Sequence, residues 1–283
     1  MSPLAFVLAL FGTSVVAGGA GAVLGLGGGI VLIPILTIFF GVDLHYAMGA
    51  SIVSVIATSI GAAAAYLRTS LSNLRIGLFL ALATVSGALI GASLAGVAPT
   101  RVLQLLLGLA LAYSTVTTLR QLRVELPPEP PEADPLALRF GLEGTYYDAV
   151  LDRDVKYRAT RVVQGFTAMF GAGLLSGLLG IGSGAFKVLA MDHFMRLPMK
   201  VSTATSNFMI GITSAASAGI YLARGDIHPL LAAPVAIGVL VGAALGTRLM
   251  ARLRNTTVRM AFLPVLAWLA LTMILRGLGI SLP

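Results

Sequence analysis

The sequence contains no cysteine. That excludes disulfides, thiolate-ligated metal centres and thiol chemistry. Charge is scarce too: 11% of the 283 residues are Asp, Glu, Lys or Arg, against about 25% in a soluble domain. There are three histidines, and none stands at metal-ligand spacing from another. His45 follows Asp43 in a turn, His228 precedes Pro229, and His193 beside Asp192 is a candidate proton relay. No Gly-x-x-x-x-Gly-Lys-[Ser/Thr] loop is present, so nucleotide-driven work is not expected. No cofactor and no metal are expected.

What is present is apolar sequence. Hydrophobic residues make up 57% of the chain, and the mean hydropathy is +0.95. Runs of about 20 apolar residues recur along nearly the whole length, each able to cross a hydrocarbon core of about 30 Å. Their apolar character is continuous rather than alternating, which predicts helices and not barrel strands. The net charge of +8 does not point to nucleic acid, because the basic residues stand at the ends of apolar runs, where they set membrane orientation.

Apolar segments are expected at about 4–24, 30–40, 46–67, 75–97 and 101–120, and again at about 161–179, 185–194, 200–222, 229–249 and 256–275. Met1-Ser2-Pro3-Leu4 lacks a basic flank, so the first run reads as a retained helix. Between the two sets, Leu126-Pro127-Pro128-Glu129-Pro130-Pro131 cannot be helix or central strand. Leu136, Leu138, Phe140 and Leu142 alternate at period two, and Tyr146-Tyr147 and Val155-Lys156-Tyr157 add strand character, predicting a small β-hairpin. Eight of the eleven acidic residues lie in this region, which reads as a solvated linker. The expected organisation is a membrane half at 1–122, a linker at 123–160 and a second membrane half at 161–283.

Each half carries a glycine-rich break inside its first apolar region: Gly25-Leu26-Gly27-Gly28-Gly29, and Gly180-Ile181-Gly182-Ser183-Gly184 at an offset of 155. The same offset pairs Ser51 with Ser206, Thr58 with Thr213, Ser59 with Ser214, Tyr66 with Tyr221, Gly87 with Gly242 and Gly91 with Gly246. One gapless offset over about 70 positions is the mark of an internal repeat.

Charge distinguishes parallel from inverted repeats. If each broken segment returns to its own side, one membrane face collects fifteen of the nineteen Lys and Arg residues. The other face holds Arg101, Arg224 and Arg276, and Lys187 stays in the membrane. If each broken segment crosses once, the division is eleven against seven. The positive-inside rule prefers the first. The expected architecture is therefore an all-α polytopic membrane protein with two inverted repeats of about four helical segments each and glycine-broken first helices. The linker is expected in the cytoplasm and both chain ends outside.

A helix broken within the bilayer leaves backbone N–H groups that persist only against protein or a ligand. Together with the helix dipole they suit an anion. Lys187 lies in the first turn after the second break, where the dipole disfavours a cation, and a charge at that depth is costly. Its repeat counterpart is Leu32, so symmetry does not demand it. A bound anion would offset both costs; pairing with a carbonyl or Asp192, or snorkelling, are the alternatives. The candidate substrate-binding residues are Gly27, Gly28, Gly29, Ser51, Gly182, Ser183, Gly184, Lys187, Ser206 and Asn207. For the Ser and Asn members, helix packing is the competing role. The Gly87, Gly91, Gly242 and Gly246 pairs read as helix-packing positions.

The two glycine-rich breaks, with Ser51 and the Val201–Asn207 stretch at equivalent positions, resemble the TauE/SafE family of sulfite exporters, over essentially both membrane halves. The resemblance implies a multi-pass transporter of the bacterial inner membrane. It would export sulfite or a related small sulfur oxyanion or organosulfonate by secondary, proton-linked transport. The implied partners are a small anion and the lipid bilayer, with no motif specifying an oligomeric state. A passive anion channel shares the break and the lysine. An intramembrane serine hydrolase using Ser183 would need glycine at 181, where isoleucine stands, and a histidine in mid-membrane. No catalytic residue is therefore assigned, and an enzyme is not expected.

Overall fold

The computed structural model describes residues 3–24, 28–68, 72–120, 134–148, 152–250 and 255–280. The elements in order are α1 (Pro3–Leu24), α2 (Gly29–Phe39), α3 (Leu44–Arg68), α4 (Leu74–Ala95) and α5 (Thr100–Arg120). A short α6 (Pro135–Phe140) and the strands β1 (Glu143–Asp148) and β2 (Arg153–Arg158) follow. Then come α7 (Val162–Leu179), α8 (Gly184–Leu189) running into a π-helical turn (Ala190–Phe194), α9 (Met199–Ala223), α10 (Pro229–Met250) and α11 (Asn255–Gly277). Among the described residues, Leu74–Ala95, Thr100–Thr117 and Val162–Leu179 are long and apolar enough to cross a membrane. The chain is an all-α membrane protein carrying one hairpin.

Adding 155 to the limits of α2 gives 184–194, the span of α8 and its π turn. The same shift carries α3 onto α9 and α4 onto α10, and the start of α5 onto the start of α11. Directions follow from close contacts. Gly49, near the start of α3, packs on the backbone of Asp226 and Ile227 just beyond α9. At the other end the Asn73 N–H, just beyond α3, donates to Thr205 Oγ1 near the start of α9 (3.1 Å). So α3 and α9 run antiparallel. Gly108 packs on Ala270 and Ile274, and Gly277 packs on Arg101 and Leu105, so α5 and α11 are antiparallel as well.

Two further crossings are parallel and glycine-mediated. Gly87 and Gly91 of α4 press on the backbone of Phe170, Leu174 and Leu178, while Gly173 and Gly177 of α7 press on Thr84 and Ala88. On α10, Gly238 meets Phe11 and Ser14, and Gly242 meets Val15 and Gly19 of α1. Lipid tails supply no hydrophobic force between helices, so close backbone approach through small residues holds such pairs together.

The two ends of the bundle differ. At one end Arg224 pairs with Asp226, donates to the Ala92 carbonyl and lies 4.5 Å over the Tyr221 ring. At that end Arg101 packs beside Gly277 and Gly279, and Arg276 donates to the Thr37 carbonyl (3.2 Å). The hairpin sits at the other end.

The hairpin pairs antiparallel from Glu143 with Arg158 to Asp148 with Arg153, helped by Arg158 Nε donating to Glu143 Oε2 (2.8 Å). The segment is not wholly solvated: Tyr146, Val155 and Tyr157 are buried in one cluster with Ile76, Leu80, Met191, Met195 and Leu197. Asn73 caps α4 by accepting from the Ile76 N–H, and its amide donates to the Glu143 carbonyl and to the Tyr157 hydroxyl. Burial pushes the Tyr157 phenol up, opposed by that bond. Thr160 donates through N–H (3.1 Å) and hydroxyl (3.3 Å) to the Met195 carbonyl, tying β2 to the end of the π turn. The period-two reading of Leu136 to Phe140 gives way to helix α6. Asp134 accepts from the Leu136 N–H, Pro135 stands at the first turn, and left-handed Gly141 (φ 61°) closes it; these caps outweigh a short alternation. The prolines at 127–131 lie outside the described residues.

Candidate functional site

The break between α7 and α8 follows from its residues. Gly180 (φ 67°) ends α7, Gly182 stands at φ 71° and Ser183 at φ 48°. Glycine reaches such angles freely, whereas an L-residue such as Ser183 does so at a cost of roughly 1–2 kcal/mol. Ser183 then occupies the N-cap of α8 but its side chain caps nothing. Ser183 is 97% buried and its hydroxyl has no hydrogen-bond partner among the described residues. Among non-glycine outliers, a strained residue with an unpaired buried hydroxyl is the kind that marks a functional site.

The first break comes close to the second. Gly28 has φ 71°; Gly27 lies outside the described residues. A Cβ at Gly29 would stand 2.5 Å from both Ser51 Oγ and Val55 Cγ2, and 3.6 Å from the Gly180 carbonyl oxygen. A Cβ at Gly182 would stand 2.8 Å from Val55 Cγ1 and 3.0 Å from Ile210 Cγ2. Val55 and Ile210 occupy equivalent positions at the offset of 155, so both breaks pack about one point on the α3–α9 crossing.

The polar groups divide. The Ser51 hydroxyl donates to the Gly180 carbonyl (2.7 Å), and Ser206 donates to the Gly184 carbonyl (3.3 Å). Each thus fixes a residue of the second break. Asn207 enters through its backbone carbonyl, which accepts from Ser59. Lys187 is fully buried, and its Nζ donates to Thr213 Oγ1 on α9 over 3.0 Å. The Thr213 hydroxyl spends its proton on the Met209 carbonyl (2.7 Å) and lies 3.1 Å from Thr84 Oγ1 on α4. No carboxylate pairs with Lys187 among the described residues. The amine therefore neither snorkels nor pairs with Asp192. One hydroxyl serves a group with three donors.

Sequence reading missed Thr213, Ser214 and Thr84 as site members. Thr213 and Ser214 stood out only as repeat matches to Thr58 and Ser59, and nothing in sequence ties Thr84 to position 187. The histidines stay apart: His45 Nδ1 lies 3.3 Å from Asp43 Oδ1, His228 stacks edge-on with Tyr46, and His193 contacts Phe194. No cluster of three His, Asp or Glu residues suited to a metal occurs among the described residues.

The α3–α9 crossing, with the two glycine-rich segments packed against it and Lys187 buried beside it, is the candidate site. Residues 10–273 match the family model described as "Sulfite exporter TauE/SafE". The chain belongs to that family. It is a membrane transporter by that membership. It is 26% identical over 272 residues to the "Probable membrane transporter protein YunE" of Bacillus subtilis (strain 168), covering 93% of this chain and 95% of that protein. It is 27% identical over 243 residues to "Probable membrane transporter protein YdhB" of the same organism, covering 86% and 88%. It is also 27% identical over 250 residues to "Probable membrane transporter protein ORF9" of a Sinorhizobium species, covering 88% and 85%. No solved structure matches the chain significantly.

Proposed function

We propose that this transporter exports sulfite, or a related small sulfur oxyanion or organosulfonate, across the bacterial inner membrane by secondary, proton-linked alternating access. The anion binds between the starts of α2 and α8, beside Lys187. One observation carries the reading: Lys187 is fully buried, and a single threonine hydroxyl is its only hydrogen-bond partner among the described residues. A cation at membrane depth without a counter-charge is costly, and such residues face substrate paths. An anionic ligand supplies the missing charge.

Inverted repeats belong to the same proposal. Elements equivalent at the offset of 155, α3 with α9 and α5 with α11, run antiparallel, as a two-fold axis in the membrane plane requires. Arg101, Arg224 and Arg276 at one end and the hairpin, with its basic residues, at the other support a cytoplasmic hairpin. Ser183 has no hydrogen-bonded base among the described residues, which counts against a serine hydrolase.

Proteoliposomes loaded with labelled sulfite test the reading. Saturable efflux that responds to an imposed pH gradient is expected. Efflux that rises linearly with concentration and ignores the gradient points to a passive channel instead.

A further inference from the structure

We infer that Ser214, together with Ser183, supplies the neutral hydrogen-bonding half of the ligand site, which therefore takes a compact oxyanion with at least two oxygens free to accept. This rests on the anion-site reading above. The observation behind it is a broken symmetry. Ser59 and Ser214 are equivalent at the offset of 155, as are Ile52 and Asn207. The Ser59 hydroxyl uses its position on the α3–α9 crossing to donate to the Asn207 carbonyl. The matching bond would run from Ser214 to the Ile52 carbonyl, and it is not made. Ser214 is 99% buried and its hydroxyl has no partner among the described residues.

A buried hydroxyl without a partner loses its hydration and gains nothing in return. Two such hydroxyls occur at this one break. Ser214 Oγ lies 3.8 Å from the place where a Cβ on Gly182 would stand, so it is aimed at the residue next to Ser183. Ser183 itself is held in the left-handed region with its hydroxyl uncommitted. On the preceding residue of α9, Thr213 receives the Lys187 ammonium. Hydroxyls both donate and accept, but the neighbouring ammonium, with no carboxylate paired to it among the described residues, fixes the ligand's sign as negative. Two uncommitted hydroxyls at one break, with Lys187 bonded to the residue that precedes Ser214, suit a small ligand with several oxygens. Two separate hydroxyl donors match two oxygens of one oxyanion, each taking its own hydrogen bond.

The test is equilibrium binding of sulfite, sulfate, thiosulfate and sulfoacetate, with chloride as control, to the full-length protein in detergent. Wild type, Ser214→Ala, Ser214→Thr and Ser59→Ala are compared, with thermal melting recorded for each. Ser214→Ala is expected to weaken the best-bound oxyanion roughly tenfold or more without lowering the melting temperature, and Ser214→Thr to retain much of the affinity. Ser59→Ala is expected to lower the melting temperature and leave affinity within about twofold. Wild-type affinity in Ser214→Ala, with binding by the wild type established, overturns the inference and leaves the transport reading standing. Preference for chloride over every oxyanion, or no anion binding at all, overturns both.

Discussion

The Ser51 hydroxyl on α3 donates to the Gly180 carbonyl at the end of α7 over 2.7 Å, so a residue of the first half fixes the break of the second. Gly180 is left-handed there, and its carbonyl is one of the orphan acceptors that every helix end exposes. Ser51→Ala would leave that acceptor buried and unpaired. A loss of about 1–3 kcal/mol is expected, read as a lower melting temperature in detergent with unchanged secondary structure. An unaltered melting temperature would mean that the bond contributes nothing net.

Gly182→Ala is the second test. The new Cβ would meet Val55 and Ile210 at 2.8 and 3.0 Å, and the residue would have to hold φ 71°. Strain and overlap together are expected to cost about 2–4 kcal/mol. Efflux should fall far more than it does for Gly219→Ala on α9, where no atom lies within 4 Å. Equal efflux in the two variants would show that backbone geometry at the break is dispensable.

The hairpin gives a third expectation. Asn73 alone caps α4 and holds both β1 and Tyr157. Asn73→Ala should cost about 1–2 kcal/mol and make the Glu143–Arg158 segment more readily cleaved by protease. Cleavage at the wild-type rate would mean that burial of Tyr146, Val155 and Tyr157 suffices to hold the hairpin.

Topology is testable because the chain has no cysteine. A single cysteine introduced at Lys156, exposed on β2, should react only with reagent reaching the cytoplasmic face. One introduced at Leu278, exposed beyond α11, should react from outside. Labelling of both from one face would rule out the inverted arrangement.

Much of this fold can be read from the residues. The offset of 155 is visible because glycines and small polar residues are kept at equivalent places, and those places are where helices touch. The limits of α2, α3 and α4 recur at that offset to the residue. Helix α6 was open to the same reading: Asp134-Pro135 and Gly141 are start and stop signals, masked by Leu136, Leu138 and Phe140 at alternate positions. The partners of Lys187 were not legible. Thr84 comes within reach of Thr213 only because α4 packs on α7 and α9, and spacing along one chain does not reveal a three-helix junction. Nor does sequence show that Ser214 fails to make the bond its counterpart makes. Each serine follows a threonine at equivalent places on α3 and α9, and only the packing of the two helices decides which of them meets a carbonyl.

The most direct measurement concerns Lys187. Sulfite efflux from proteoliposomes should fall to the level of empty vesicles in Lys187→Ala, while the purified variant keeps a cooperative melt at or above the wild-type temperature, because a buried cation with a single hydroxyl partner is itself a burden on stability. Lys187→Met, which keeps the apolar stem, should behave the same way. Wild-type efflux from either folded variant would contradict the anion site at the heart of the mechanism.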